Sequence, residues 1–464
     1  MTHENTFDID EAPIHAALSS AASVDPARVR DILAKARMLK GLNADDIVPL
    51  MGIESPDLLE ELFDAARYAK DTIYGRRLVL FAPLYISSKC SNDCAYCAFR
   101  SRNKALVRKA LTQDEIAAET RILIDQGHKR VLLVAGEANT KNSLQYVLDA
   151  IKTIYSVKHG NGEIRRVNVN IAPLNADEFA LLKQAKIGTY QIFQETYHHE
   201  TYRQVHLGGK KKDYLWRLQA IDRAMTAGID DCGIGVLFGL ADWRFDLLGL
   251  MQHIRHLETA FGVGPHTISV PRMEPASGSE LASCPPHPVS DNDFRKIVAI
   301  LRLAVPYTGI IMSTRETPQM RRDTFALGVS QISAGSRTNP GGYNELVTEE
   351  MGQFSLGDHR PLGEVIRDVA GLGYIPSFCT GCYRLGRTGA DFMDLAKPGD
   401  IKQHCDPNAA STFQEYLMDY GDEETCAIGE RAIEDFISNM DAAPARYSRI
   451  MVSKVKQGKR DVYR

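Results

Sequence analysis

Three cysteines, Cys90, Cys94 and Cys97, fall within eight residues at CX3CX2C spacing. The apolar run at residues 78–86 just upstream has the makings of a buried strand. The thiols therefore occupy a short loop at a strand's carboxyl end, where three thiolates converge without a long closure. Three chemistries use such a loop. A structural zinc site needs a fourth protein ligand, and no histidine or further cysteine lies close in sequence. A redox CXXC uses Cys94 and Cys97 and leaves Cys90 idle. A 4Fe-4S cluster takes three thiolates on three irons and leaves the fourth iron open to a ligand that is not protein. A second group, Cys379, Cys382 and Cys405, has CX2CX22C spacing. Taken alone it fits zinc or redox chemistry, and beside a first cluster it can again leave one iron open. Cys232, Cys284 and Cys426 have no partners at metal spacing and read as incidental thiols.

The elements that must position these loops follow from pattern. The 464 residues carry 55 basic and 59 acidic side chains, a balance that gives no electrostatic reason to expect nucleic acid or an anionic membrane as partner. No apolar run reaches spanning length, and the first 20 residues lack a signal-peptide core, so a cytoplasmic protein is expected. Tight cysteine groups in such a chain point to metal rather than disulfides. Residues 1–75 read as a helical segment, with three- and four-residue apolar spacing over 26–39 and 56–74. Strand-like runs follow at 78–86, 130–135, 166–171, 190–194, 233–238, 266–271, 309–313 and 331–334. Amphipathic stretches lie between them at 112–126, 143–155, 214–227, 246–259 and 291–303. Eight such units predict an α/β fold, a (β/α)8 TIM-type barrel over 76–344, with an open doubly wound sheet as the competitor. Residues 345–464 break the alternation and read as a mainly helical extension carrying the second cysteine group.

CX3CX2C with an aromatic residue, Tyr96, just before the last cysteine, and Phe99 just beyond it, strongly resembles the radical S-adenosylmethionine (SAM) superfamily. That resemblance implies a 4Fe-4S cluster whose open iron binds the amino and carboxylate groups of SAM. One electron then splits the sulfonium to give a 5'-deoxyadenosyl radical. Ala135-Gly136-Glu137 resembles the superfamily's Gly-Gly-Glu segment at the methionyl amino group, with Ala in place of the first Gly. Glu195, at the end of strand four, would reach the ribose or methionyl end. Arg217 or Arg223 could pair with the cofactor carboxylate, or lie on a solvated helix face. Gly233 to Val236 would let backbone approach the adenine, or be packing glycines.

CX2CX22C in a carboxyl-terminal extension is similar to the HydG family of FeFe-hydrogenase maturases. The similarity extends through Ile73-Tyr74-Gly75, residues 81–85, 165–171, 193–198 and 262–272, Ser313-Thr314-Arg315-Glu316 and Cys382-Tyr383-Arg384. It implies a tyrosine lyase that cuts L-tyrosine at Cα–Cβ into p-cresol and dehydroglycine. Dehydroglycine then becomes CO and cyanide at a second 4Fe-4S cluster, where an additional iron and L-cysteine collect them. His266 sits in the motif that supplies a histidine to that iron. The implied partners are other hydrogenase maturation proteins and an electron donor. Arg315 is the first candidate to clamp the tyrosine carboxylate and Arg272 the second, since guanidinium binds such groups as a fork. The alternatives are 2-iminoacetate synthase (ThiH) of thiazole biosynthesis, which lacks the second cysteine motif, and a cluster carrier without radical chemistry. Cys90 follows strand one and His266 opens strand six. A strand of about 5–6 residues spans roughly 17–20 Å, so the two metal sites are expected at opposite mouths. An internal passage is expected between them, with Asn168 and Asn170 among its lining.

Overall fold

The computed structural model describes residues 7–19, 24–138, 140–344 and 351–464. Eight parallel strands form one sheet: β1 (Arg77–Ser87), β2 (Arg130–Ala135), β3 (Arg166–Asn170), β4 (Tyr190–Gln191), β5 (Cys232–Gly235), β6 (Thr267–Ser269), β7 (Gly309–Met312) and β8 (Val329–Ser333). Each pairs with the next, and β8 pairs back onto β1 through Val79↔Gln331, Leu80↔Ile332 and Phe81↔Ser333. The sheet is thus a closed barrel, not an open one. Strands β4, β5 and β6 are shorter than their apolar runs suggested. Past Gln191, Gly235 and Ser269 regular pairing gives way to the isolated bridges Glu195↔Val236 and Phe238↔Arg272, with backbone hydrogen bonds such as Leu237 N–H to Glu195 O and Phe238 N–H to Pro271 O still linking the chains.

β1 is the longest strand and is buried along almost its whole length, as a strand packed on both faces must be. Its Ala82–Ser87 part pairs with β2. Its first three residues instead pair in parallel with a strand that sequence pattern did not reveal, β9 (Ile375–Ser377). Three residues with Pro376 in the middle carry no strand signal, yet β9 leads straight into Cys379. The helix Leu362–Gly371 precedes it, and the long helix Lys402–Tyr420, which carries Cys405, packs against it and against Ala442–Lys456.

The crossover helices are well specified locally. Thr112 with Glu115, and Asn175 with Glu178, form reciprocal capping boxes at the starts of Gln113–Asp125 and Ala176–Gln184. The expected helix over 214–227 is broken at Gln219 into Tyr214–Leu218 and Ala220–Thr226, which gives Arg217 and Arg223 different surroundings. The amino-terminal helices clad the outside of the barrel. Glu11–Ser19 lies on Trp243–Phe261, and Ala44–Met51 and Pro56–Ile73 lie on Asp291–Ala304. Among the described residues no helix is long and apolar enough to cross a membrane.

Helix Glu11–Ser19 is tied to the barrel by His199, whose ring nitrogens each lie 2.9 Å from a carboxylate, of Asp8 and of Glu11. Burial alone would depress the imidazole pKa, but these two carboxylates outweigh it and raise it above its ordinary value. His198 beside it is lowered by burial. A raised histidine pKa stabilises the fold at low pH and loses that contribution as pH climbs through the folded value. The protection factors of the Glu11–Ser19 amides, which correct for intrinsic exchange, are therefore expected to fall as pH climbs above about 6.5 while those of the barrel strands stay constant. His199→Gln should remove that pH dependence.

Candidate functional site

The upper mouth, at the carboxyl ends of the strands, holds a cavity of about 200 Å³. Its walls are the alternate, inward-pointing residues of the barrel, such as Phe81, Pro83 and Tyr85 of β1, Leu132 and Val134 of β2, and Asn170 of β3. Cys90, Cys94 and Cys97 lie on its rim, all as free thiols. Their loop is stitched to its neighbours by backbone. Ser91 N–H donates to Glu137 O at 2.9 Å, Ala95 N–H to Val205 O at 2.8 Å and Leu207 N–H to Asp93 O at 2.9 Å. Asp93 in turn takes ion pairs from Arg100 and Arg102 at 2.7 Å each. Phe99 packs edge-on to Tyr85 beneath the loop.

Burial pushes the Cys90 thiol up to about 11, with the Glu137 carboxylate adding to it, and pushes Cys94 and Cys97 up as well. Three buried thiols that resist ionisation one by one become thiolates together when a polynuclear cation neutralises them. Among the described residues neither cysteine triad has its three sulfurs within 4.8 Å of one another. That is wider than a single zinc ion with bonds of about 2.3 Å would hold them. The donor set fits a 4Fe-4S cluster on three thiolates.

Opposite the thiols is a network of charge. Glu137 accepts from Asn92 Nδ2 at 2.6 Å and from Arg217 Nη1 at 3.0 Å. Despite burial, which would raise it, Arg217 and Lys211 hold its carboxyl below the usual range. Arg217 also donates to Phe193 O at 2.7 Å. Lys211 Nζ lies 2.6 Å from Glu195 Oε1, and Glu195 is one of few non-glycine residues at positive φ, 73°. Such backbone is strained by about 1–3 kcal/mol and tends to be kept where a side chain must be aimed. Tyr96 OH and His206 Nε2 are 2.8 Å apart. Gly136 has no room for a side chain, since a Cβ there would meet Lys89 O at 2.5 Å and Cys90 Cβ at 3.3 Å.

The other residues singled out from sequence divide. Arg315 lines the cavity with its guanidinium 3.3 Å over the Phe354 ring. Arg272 does not line it: Glu316 and Asp291 occupy its arms and Phe294 lies under it. Arg223 also lies away from it, stacked 3.6 Å over Trp216 and bonded to Leu174 O and Trp216 O. Gly233 and Gly235 are packing glycines. A Cβ on Gly233 would strike Thr267 Oγ1 and Gln191, and one on Gly235 would strike Phe193 and Ser269. The loop after β8 contributes Ser336, Thr338, Gln353 and Phe354 to the wall, and Gln353 Nε2 lies 3.7 Å from Cys97 Sγ. Asn92, Lys211 and Gln353 escaped the sequence reading. Lys211 sits in a run of three lysines, a pattern that ordinarily marks a solvated face.

At the lower mouth a cavity of about 60 Å³ is lined by Cys379, Cys382, Cys405, His266, Asp231, Arg77, Arg130 and Tyr383. Residues from opposite ends of the chain thus meet beneath the strands' amino ends. A hydrogen bond from Cys382 holds the Cys405 thiol down to about 7, with Arg77 assisting, and Cys382 is raised correspondingly. Arg130 Nη2 anchors the Cys379 carbonyl at 2.8 Å. Burial lowers the pKa of His266, which keeps the ring neutral. Its Nδ1 has no hydrogen-bond partner, and Phe392 lies 4.4 Å from it, ring to ring. No described residue lines both cavities. They abut instead: Phe81 above and Val79 below on β1, Ser333 above and Gln331 below on β8. The expected continuous passage is thus not formed by the described residues: Asn170, expected along it, lines the upper cavity, and Asn168 lines neither cavity and accepts from the Thr189 N–H at 3.1 Å.

A parallel barrel with a three-thiol loop after its first strand and charged groups across the mouth defines a radical SAM enzyme. The family model for the radical SAM superfamily matches residues 84–245, and that for the biotin and thiamin synthesis associated domain matches 269–375. A crystal structure of HydG, a maturase of the [FeFe]-hydrogenase, superposes with a TM-score of 0.95 at 47% identity, covering 98% of this chain and 99% of that one. HydG from Carboxydothermus hydrogenoformans superposes with a TM-score of 0.82 at 40% identity, over 95% and 98%. The 2-iminoacetate synthase of Escherichia coli is 33% identical over 75% of this chain and 89% of its own length. The chain belongs to the family that unites the hydrogenase maturase HydG with 2-iminoacetate synthase.

Gly136→Ala is expected to force the Cys90 loop outward. Overpacking of this kind costs about 1–3 kcal/mol, readable as a lower denaturation midpoint. Iron incorporated at the upper site should fall with it.

Proposed function

We propose that this protein is a radical SAM tyrosine lyase that cleaves L-tyrosine at Cα–Cβ to p-cresol and dehydroglycine. The fragment is converted at a second 4Fe-4S cluster into CO and cyanide for a hydrogenase active site. The observation that carries the reading is the lower cavity, where Cys379, Cys382 and Cys405 converge with a neutral His266 whose Nδ1 has no hydrogen-bond partner among the described residues. A lyase that only released its fragment would have no use for it.

When bound at the upper mouth, the cluster and SAM supply a hydrogen-abstracting radical. The chain's part is to hold and orient. Glu137, fixed by Asn92 and Arg217, offers carboxylate oxygen to the cofactor's amino group. Arg217 and Lys211 supply positive charge for its carboxylate, and Glu195 acts with them on its polar end. Tyr96 and Phe99 wall the loop. Arg315 is the clamp for the tyrosine carboxylate. Burial lowers its pKa, while Tyr85, Glu195 and Glu274 counteract that. Its guanidinium faces the cavity and, among the described residues, is not spent on an ion pair as Arg272's is. At the lower mouth Cys379, Cys382 and Cys405 hold the second cluster, and His266 holds the additional iron with L-cysteine beside it. The fragment would have to cross the polar layer of the barrel interior where the two cavities abut, since no described residue lines both. The domain division follows the same roles: 1–75 clads the barrel, 76–344 generates the radical, and 345–464 completes the second centre.

Reconstituted protein given tyrosine, SAM and dithionite without oxygen is expected to yield p-cresol, CO and cyanide. Cys379→Ala with Cys382→Ala should abolish CO and cyanide while p-cresol continues. p-Cresol without either diatomic from the intact protein would instead mark a 2-iminoacetate synthase, and no p-cresol would reject both readings.

Arg315→Ala is expected to raise the KM for tyrosine by about 10- to 100-fold, the loss of a charge-assisted hydrogen bond worth about 1.5–3 kcal/mol. SAM affinity should not change. Unaltered tyrosine affinity would remove Arg315 from this role.

A further inference from the structure

The lower cavity contains a carboxylate that the reading above leaves unused. Asp231 is 2% exposed, lines the cavity with His266 and the three thiols, and has no hydrogen-bond partner on either oxygen among the described residues. Its neighbour Asp230 is engaged, accepting from Thr388 Oγ1 at 3.0 Å. An uncompensated buried carboxylate costs several kcal/mol, so a fold keeps one where something cationic meets it. The nearby guanidinium groups do not bond to it, and Arg166 acts on it only through space. Arg130 donates to Cys379 O, Arg166 lies 3.7 Å over the Tyr383 ring, and neither is bonded to Asp231.

Backbone geometry fixes where this carboxylate stands. Asp231 immediately precedes β5, and its carbonyl accepts from Tyr190 N–H at 3.0 Å. His266 immediately precedes β6, and its N–H donates to Cys232 O at 2.8 Å. The two residues therefore sit at the amino ends of adjacent, paired strands and face one cavity. Each brings buried acceptor atoms without a partner, two oxygens from Asp231 and Nδ1 from His266.

We infer that Asp231 is a second protein ligand, beside His266, for a mononuclear Fe2+ at the lower mouth. The inference rests on the reading of this cavity as the place where an iron outside the cluster is held. A carboxylate and an imidazole are the hard and borderline donors that suit divalent iron, whereas the thiolates suit the irons of a cluster. The pair thus separates one iron chemically from the others, so that it can be loaded and released independently of the cluster.

The test uses protein reconstituted with its clusters, cleared of loose iron by a chelator and titrated with 57Fe2+ under Mössbauer observation. Cluster absorbance and thermal midpoint report whether each variant is folded. Wild-type protein and Asp230→Asn are expected to gain a high-spin Fe2+ signal with the same affinity. Asp231→Asn and His266→Ala should each weaken that affinity at least tenfold, and Asp231→Glu should recover part of it. Asp231→Asn that binds Fe2+ as wild type does would overturn the assignment. So would a variant that loses only affinity for added L-cysteine, since the carboxylate would then be meeting an ammonium group. Wild-type protein that takes up no further Fe2+ would overturn both the assignment and the iron-holding role of this cavity, while p-cresol formation, measured in parallel, reports on the lyase reading separately.

Discussion

Everything in this molecule hangs on the pairing of β1. It closes the barrel through β8, opens it toward β2, and at its foot takes β9 as a third neighbour. One thiol triad begins three residues past its end, and the other begins two residues past Ser377, which is paired with Val79. At about 3.3 Å per residue, the eight residues from Val79 to Ser87 set the two loops roughly 26 Å apart along the strand. Neither loop can drift without breaking ladder hydrogen bonds. Two thiol triads are thus held apart on one rigid rod.

That rod also explains how the two mouths come to differ in electrostatics while sharing a ligand type. At the upper mouth Glu137, Glu195, Arg217 and Lys211 form an interlocked set of two acids and two bases. It leaves donors and acceptors alternating around the cavity, which suits a zwitterionic ligand. At the lower mouth Arg77, Arg130 and Arg387 surround the thiols, and Cys405 is the one thiol of the six held below its ordinary pKa. Positive surroundings favour thiolate and bound anions, and a neutral histidine with an open nitrogen favours a metal ion beside them.

Sequence revealed the frame because the frame follows local rules. Apolar runs of strand length separated by amphipathic helices specify a barrel wherever they recur eight times, and capping residues such as Thr112 and Asn175 mark the helix starts. The cysteine loops were legible because thiols at such spacings have few other uses. The missed parts are those that tertiary context creates. β9 has no strand composition and exists because β1 offers it an edge. Lys211 reads as one of three surface lysines until the fold turns it onto Glu195. Arg217 and Arg223 look alike on one helical stretch, and only the break at Gln219 sends one into the cavity and the other onto Trp216. Arg315 ranked ahead of Arg272 from sequence, but only the fold shows that Glu316 already engages Arg272.

The barrel interior shows what the arrangement costs. In parallel barrels the inner layers are ordinarily filled by branched aliphatic side chains. Here Asn168 and Thr267 lie where the two cavities abut, with Gln191 on the upper wall and Gln331 on the lower, all buried, and Gly233 gives up its volume to Thr267 and Gln191. Thr267 Oγ1 has no hydrogen-bond partner. Buried polar groups in this position forgo hydrophobic stabilisation and, where unpaired, cost about 1–3 kcal/mol each. Stability alone would replace them with Val or Ile. Their presence between two thiol-lined cavities is accounted for if something small and polar passes this layer, because an aliphatic plug would exclude it. The carboxamide and hydroxyl groups can exchange hydrogen bonds with such a species without repacking the strands.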